Sequence, residues 1–137
     1  MSFVVDASVA LAWALPDETS TYAEAVLAAV EQHGLMVPDL WAREIANGLA
    51  MAHKRKRITT ADEHAILFAL SLLRIDVEDP VGAVDAIRSG TAAAMRFGLT
   101  AYDAAYVDLA ARKNLSLATL DTAMRKAAEQ SGVAIFL

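Results

Sequence analysis

The sequence predicts an α/β fold in which a parallel sheet is covered by helices on both faces. Two observations predict it. Short apolar or β-branched runs recur along the chain, and the longer stretches between them are rich in Ala, Leu and Glu and spaced as helices. Strand runs that stay apolar, rather than alternating with polar residues, belong to sheets buried on both sides, because the crossover helices of parallel strands cover both faces.

The first run is "FVV", Phe3 to Val5. Asp6 follows it, and the almost wholly apolar stretch Ser8 to Trp13 continues beyond, with a helix start near Ser8. A helix is predicted over Tyr22 to Gln32, ending at Gly34 before the second strand run "LMVP", Leu35 to Pro38. Helices over Leu40 to Ala52 and Ala61 to Leu73 lead to "RIDV", Arg74 to Val77. Helices over Val81 to Arg96 and Ala101 to Arg112 lead to "LSLAT", Leu115 to Thr119. A last helix over Ala123 to Gln130 precedes "VAIFL", Val133 to Leu137, and Gly98 and Gly132 also stand where helices should stop. "TADE" (Thr60 to Glu63) and "TAYD" (Thr100 to Asp103) match the S/T-x-x-acid capping pattern, although the capping box proper ends in Glu or Gln. No repeat, low-complexity tract or linker interrupts the chain, so residues 1–137 are expected to form one domain.

At 137 residues and 56% hydrophobic content, the chain can bury the core of an ordinary domain without covalent staples. With no cysteine it has neither a disulfide framework nor a thiolate metal site, so any metal must be held by oxygen or histidine, and a reducing cytoplasm suits it. Asp6 interrupts the N-terminal apolar run, no basic segment precedes it, and no uninterrupted apolar segment reaches the roughly 18 residues of a membrane helix. A soluble, unexported protein is expected. The net charge of −5 argues against a generally basic nucleic-acid coat. One basic cluster stands out in "HKRKRI": Lys54, Arg55, Lys56 and Arg57 are either a solvated helix end, favourable beside the C-terminal dipole, or a rim that contacts phosphates.

The acids are the informative residues. Asp6 sits inside a hydrophobic run, where an unpaired carboxylate must be compensated or take up a proton. In an open parallel sheet, ligands bind outside the carboxyl ends of the strands. Asp6 ends the first strand, Asp121 lies just past a later one with Thr119 two residues before it, and Asp103 opens the helix leading into that strand. Glu44 lies one turn into the helix after "LMVPD" and shares a helix face with Asn47 at i, i+3. Singly, Asp6 and Asp121 could be helix N-caps, Asp103 the acid of a capping pattern, and Glu44 a solvated acid near a helix start. Together, four carboxylates at one end of the sheet repel one another unless a cation neutralises them, and oxygen-only ligands favour Mg²⁺ or Mn²⁺ over zinc. A hard divalent ion that keeps several waters suits phosphodiester hydrolysis.

The segments "VVDASVALAW", "VPDLWAREIANGL", "LTAYDAAYVDLA" and "LATLDTAMRKAA" resemble the PIN domain family, and within it the VapC-like ribonuclease toxins of bacterial toxin–antitoxin modules. The resemblance runs from the first strand to the last helix. It implies a PIN-like domain with a five-stranded parallel sheet, a Mg²⁺- or Mn²⁺-dependent endoribonuclease, and inhibition by a small cognate antitoxin of VapB type. Matched position by position, it makes Asp6, Glu44, Asp103 and Asp121 the acids that hold the metal, with Asp121 completing the site or orienting the attacking water. Ser8, Asn47 and Thr119 match positions that support such a site. Lys54, Arg55, Lys56 and Arg57 then become candidate RNA contacts.

Other residues read as structural. Asp108, five residues after Asp103 and so roughly 140° round the helix, should not share its face. Asp17 and Glu18 belong to a loop after Pro16, where they could line a substrate groove. His33, His53 and His64 lack ligand spacing, and Trp13 and Trp41 are expected to pack, or to stack on bases if exposed. A receiver domain needs an acidic pair and a dehalogenase-type phosphatase needs D-x-D at the first strand, where this chain has Val5, Asp6, Ala7 and Ser8. Nucleotide-binding glycine loops are absent from the sequence. Two alternatives remain: a non-catalytic PIN-like binding or assembly module, and a PIN nuclease of RNA maturation. The apolar content of Leu40 to Met51 and Ala101 to Ala111 exceeds what one core needs, which favours a homodimer, or a higher assembly with an antitoxin.

Overall fold

The computed structural model describes residues 2–18 and 20–137. In chain order the elements are β1 (Phe3–Val5), α1 (Ala7–Ala14), α2 (Thr21–His33), β2 (Leu35–Val37), α3 (Trp41–Lys54) and α4 (Thr60–Ser71). They continue with β3 (Ile75–Val77), α5 (Ala83–Phe97), α6 (Ala101–Lys113), β4 (Leu117–Ala118) and α7 (Thr122–Gln130). The strands form one sheet in the order β3-β2-β1-β4, with every pairing parallel. Phe3 is in register with Leu35, Leu35 with Ile75, and Val4 with Leu117. Successive strand residues point to opposite faces, so the complete burial of both Val4 and Val5, and of both Leu117 and Ala118, requires cover on both sides at β1 and β4. The β3 edge is different: Asp76 and Val77 are exposed there, and a charge on an edge discourages pairing with another chain.

Among the described residues four strands form, not the five expected. The last run, Val133 to Leu137, makes a single parallel bridge between Leu117 and Ile135, closed by Leu117 N–H to Ala134 O and Phe136 N–H to Leu117 O, each 2.9 Å. Its neighbour β4 is two residues long, and Leu137 turns away at φ +52°, so no ladder develops. The apolar side chains of this run pack instead: Val133 is buried, and the Phe136 ring meets Phe3 edge-on at 4.8 Å.

Helix starts follow local chemistry. Thr100 caps α6 by accepting the Asp103 amide at 3.1 Å. The α4 cap is Thr59, one residue before the expected Thr60, and it forms a full box: Thr59 Oγ1 accepts from Asp62 N, and Asp62 Oδ2 accepts from Thr59 N. The segment "TTADE" permits both registers, because two threonines precede two acids. Helix α6 is the most deeply sunk, burying Ala104, Tyr106, Val107, Leu109 and Ala110 against β1, β4, α5 and α7. Asp103 in its first turn therefore stands on a rigid support.

Gly34 ends α2 at φ +77°, ψ 175°, a conformation almost confined to glycine. A Cβ there would also lie 2.7 Å from Arg74 Nε. Arg74 donates to the carbonyl of His33 and its own carbonyl accepts from Leu35 N, which joins the end of α2 to the start of β3. Gly34→Ala should lower stability by about 1–3 kcal/mol. Gly90→Ala, within α5 where a new Cβ meets open space, should raise it by roughly 0.5–1 kcal/mol. Urea unfolding midpoints of the two variants, at unchanged m-value, check both.

Candidate functional site

Strand order reverses between β1 and β4, because the chain runs outward from β1 through β2 to β3 and then returns to the other side of β1. The carboxyl ends of these two strands meet at Asp6 and Thr119, both buried in the core, with Asp6 only 2% exposed. Asp6 Oδ1 accepts from Ser8 Oγ at 2.7 Å and from Val9 N at 3.1 Å, and Oδ2 accepts from Thr119 Oγ1 at 2.5 Å. Thr119 Oγ1 in turn accepts from Asp121 N at 2.9 Å, and Asp121 Oδ1 accepts from Met124 N at 2.8 Å. Asp6 and Asp121 are thus N-caps, of α1 and α7, and both stand at the same end of the sheet.

Glu44 comes from the first turn of α3, which follows β2, and Asp103 from the first turn of α6, which precedes β4. Both side chains are half-buried. Burial lifts the Asp6 carboxyl above its ordinary range; hydrogen bonds from Thr119, Ser8 and Val9 oppose the rise, and repulsion from Asp121 adds to it. Burial likewise raises Glu44, opposed by a hydrogen bond from Tyr106 and reinforced by Asp103 and Asp6. Asp103 is raised by burial and by Asp121, against a hydrogen bond from Thr100. Every one of the four carboxylates therefore feels at least one other. Among the described residues, none of the four forms an ion pair with Lys, Arg or His.

These side chains are coupled but not gathered as a ligand shell: among the described residues, no three His, Cys, Asp or Glu side chains are spaced around one ion position. Their chemistry fits a hard divalent cation nonetheless. The donors are oxygens, they repel one another, and one is buried with no cationic side chain paired to it among the described residues.

The PIN domain family matches this chain over residues 3–130. The chain belongs to the PIN domain family. Ribonuclease VapC3 of Pyrobaculum aerophilum is 37% identical over 122 residues, covering 88% of this chain and 90% of that protein. Ribonuclease VapC9 of Mycobacterium tuberculosis is 38% identical over 118 residues, 86% of this chain and 84% of that one. The crystal structure of PAE2754 from Pyrobaculum aerophilum superposes with a TM-score of 0.70 at 25% identity, covering 94% of this chain and 87% of that one. That of FitAcB from Neisseria gonorrhoeae reaches 0.62 at 19% identity over 98% and 96%, a likeness of fold.

In this PIN domain the other residues singled out in the sequence divide clearly. Ser8 and Thr119 bond directly to Asp6, whereas Asn47 is exposed on α3 and takes no part in the network of hydrogen bonds around Asp6. Lys54, Arg55 and Lys56 are exposed at the end of α3, but Arg57 is engaged: Nε and Nη2 reach the Asp17 carboxylate at 2.8 and 2.6 Å, and Glu18 lies 3.8 Å away. Asp17 and Glu18 line a cavity of about 490 Å³ that also touches Ser8, Leu11, Ala12 and Leu120, beside Asp6. Asp108 pairs with Arg112 at 2.7 Å. His53 pairs with Glu63 at 2.6 Å, Trp41 is buried, and Trp13 Nε1 donates to Ala23 O at 2.6 Å. No described helix is long and apolar enough to cross a membrane.

Tyr106 was not anticipated. It is 1% exposed, and its hydroxyl donates to Glu44 Oε1 at 2.5 Å across 62 positions of sequence. A signal existed, because Tyr106 follows Asp103 at i+3 and so shares its face, but an apolar helix face reads first as core.

The raised pKa values set a sign. A carboxyl whose folded pKa lies above its unfolded value contributes stability below the unfolded pKa and loses it as pH rises through the folded one. Asp6, Glu44 and Asp103 therefore destabilise the protein in EDTA as pH climbs out of the ordinary carboxylate range, while Asp17, held low by Arg57, works in the opposite direction as pH falls. Asp6→Asn isolates one of these effects. In EDTA its thermal midpoint should equal or exceed that of the parent at pH 7, and the difference should shrink as pH falls to 4. A constant or inverted difference would refute the burial argument.

Proposed function

We propose that the chain is a metal-dependent endoribonuclease and the toxin of a toxin–antitoxin pair, with residues 1–137 acting as one nuclease domain. The observation that carries the reading is a buried aspartate at the switch point of a parallel sheet, in electrostatic contact with Asp121 and Glu44 and through them with Asp103, with no cationic side chain paired to any of the four among the described residues. The naming of the curated relatives as ribonucleases, over most of this chain's length, supports the reaction class.

Asp6, Glu44, Asp103 and Asp121 would hold Mg²⁺ or Mn²⁺, directly or through water. Such an ion polarises a phosphoryl oxygen and lowers the pKa of a bound water. The chain's own groups provide the orientation. Ser8, the Val9 amide and Thr119 hold the Asp6 carboxylate in one rotamer. Met124 N occupies Asp121 Oδ1, so Oδ2 is the oxygen left to complete the site or orient the attacking water. The cavity beside Ser8 has room for a nucleotide of the substrate strand, and exposed Lys54, Arg55 and Lys56 are suited to its phosphates. Arg57, committed to Asp17, instead ties the loop that forms one wall of that cavity.

The partners follow from apolar surface. A cavity of about 520 Å³ between α1, α2 and α4, touching Trp13, Leu27, Ile66, Leu70 and Leu73, would take an apolar segment of a cognate VapB-like antitoxin. Phe68 and Leu72 at the end of α4, and Ile87 and Met95 on α5, are 66 to 80% exposed and would be covered in a homodimer or a larger assembly with the antitoxin. Much of the surplus lies on these helices, while α3 buries Trp41, Ile45 and Leu49 and α6 buries Tyr106, Val107 and Leu109 but leaves Tyr102 exposed.

Purified protein free of antitoxin should cut cellular RNA at discrete sites with Mg²⁺ or Mn²⁺ and leave it intact in EDTA. Asp6→Asn and Asp103→Asn should each reduce cleavage at least about a hundredfold while keeping the far-ultraviolet circular dichroism of the parent. Metal-dependent cleavage that survives both substitutions would remove this site. Light scattering should give the mass of two chains, and a monomer at high concentration would refute the dimer.

A further inference from the structure

Resting on the reading of a divalent-cation site, we infer that Tyr106 is the positioning residue for Glu44, holding one carboxylate oxygen so that only the other can face the ion or its water. Glu44 needs such a restraint more than the other acids. Asp6 and Asp121 have short side chains locked by helix capping, and Asp103 stands in the first turn of the deeply packed α6. Glu44 has one more rotatable bond, and Leu40, at the N-cap of its helix, provides no side-chain cap.

The restraint comes from a rigid neighbour. The Tyr106 ring is completely enclosed on α6, and its hydroxyl donates to Glu44 Oε1 at 2.5 Å. The phenol also lies close enough to Asp6 and to the backbone of Ala7 to sense both. One hydroxyl thus fixes the distance between α3 and α6 at the carboxyl edge of the sheet, where Glu44 and Asp103 interact. With Oε1 occupied, Glu44 offers one oxygen, which matches a small octahedral ion with several retained waters better than a bidentate grip does. Residues that orient a ligand in this way typically change metal affinity by 10–100-fold when removed.

Manganese binding, followed by the loss of free Mn²⁺ signal in electron paramagnetic resonance without RNA present, tests this apart from catalysis. The parent should bind, Tyr106→Phe should bind about tenfold more weakly, and the Tyr106→Phe, Glu44→Gln double variant should bind no more weakly than Glu44→Gln alone. RNA cleavage by Tyr106→Phe should recover to near the parental rate at saturating Mn²⁺, with the midpoint of its metal dependence raised by the same factor. Equal binding by the parent and Tyr106→Phe, or an equal loss in the Glu44→Gln background, overturns the inference and leaves the metal site standing. A parent that binds no Mn²⁺ overturns the metal reading and the inference together. The parental fold supplies a second readout that does not depend on the Phe variant: in protein carrying [13Cζ]tyrosine, the Tyr106 resonance should move on addition of Mg²⁺ and stay fixed in Glu44→Ala. A resonance indifferent to Mg²⁺ in the parent counts against the inference.

Discussion

The structure depends on Asp6 being both buried and held. Its position at the end of β1, the inner strand beside the switch point, takes a carboxylate out of water, a step that disfavours the ionised form. Three hydrogen bonds offset it, each to a charged acceptor and each worth about 1.5–3 kcal/mol. Two of them come from the start of α1 and the third from the residue after β4, so the same contacts that make Asp6 tolerable join β1 to β4 and set the angle at which α1 leaves the sheet. The relay continues through Thr119 Oγ1 to the Asp121 amide, and from Asp121 to the start of α7. A substitution at any member of this chain of contacts is felt by the others.

Helix capping and site formation are one arrangement here. The first turns of α1, α3, α6 and α7 lie at the carboxyl edge of the sheet, and helix N-termini carry unpaired amides and partial positive charge. That field makes the edge hospitable to negative groups. Hydrogen bonds also engage particular oxygens of these acids. Asp6 gives one oxygen to the Val9 amide and one to Thr119, Asp121 gives one to Met124, and Glu44 gives one to Tyr106. Orientation is thereby set before any ion or substrate arrives, which is what a site needs if its geometry is not to be reorganised during reaction.

The outer surface is organised by a different balance. Helix α4 buries none of its residues, although its sequence contains Ile66, Leu67, Phe68 and Leu70. Its apolar residues are distributed round the axis rather than along one stripe, so one side leans on α1 and α2 while Leu67 and Phe68 remain in contact with solvent. Helix α5 packs mainly on α6 and leaves Val84, Ile87 and Met95 exposed. The apolar surplus in the sequence is real, and much of it sits on α4 and α5, with Tyr102 the exposed large side chain of α6. Composition gives the amount of apolar surface, and only the packing order of the helices says which ones run out of neighbours.

What the sequence determined by itself was local or periodic: the alternation of short strands with helices, the ends of helices at Gly34 and Gly98, the Thr100 cap, and the four acids at strand ends and first helical turns. Those features follow from backbone sterics, capping chemistry and the rule that parallel sheets bind at their carboxyl edge, all readable within a few residues. Tertiary structure decided the rest. It reduced the fifth strand to one bridge, because β4 is too short to support a ladder. It chose Thr59 over Thr60, committed Arg57 to Asp17, left Asn47 in solvent, and brought Tyr106 to Glu44. Each of these depends on a partner distant in sequence or on a choice between equivalent local registers, and a hydrogen bond between residues 44 and 106 has no signature in either segment until α3 and α6 are packed side by side.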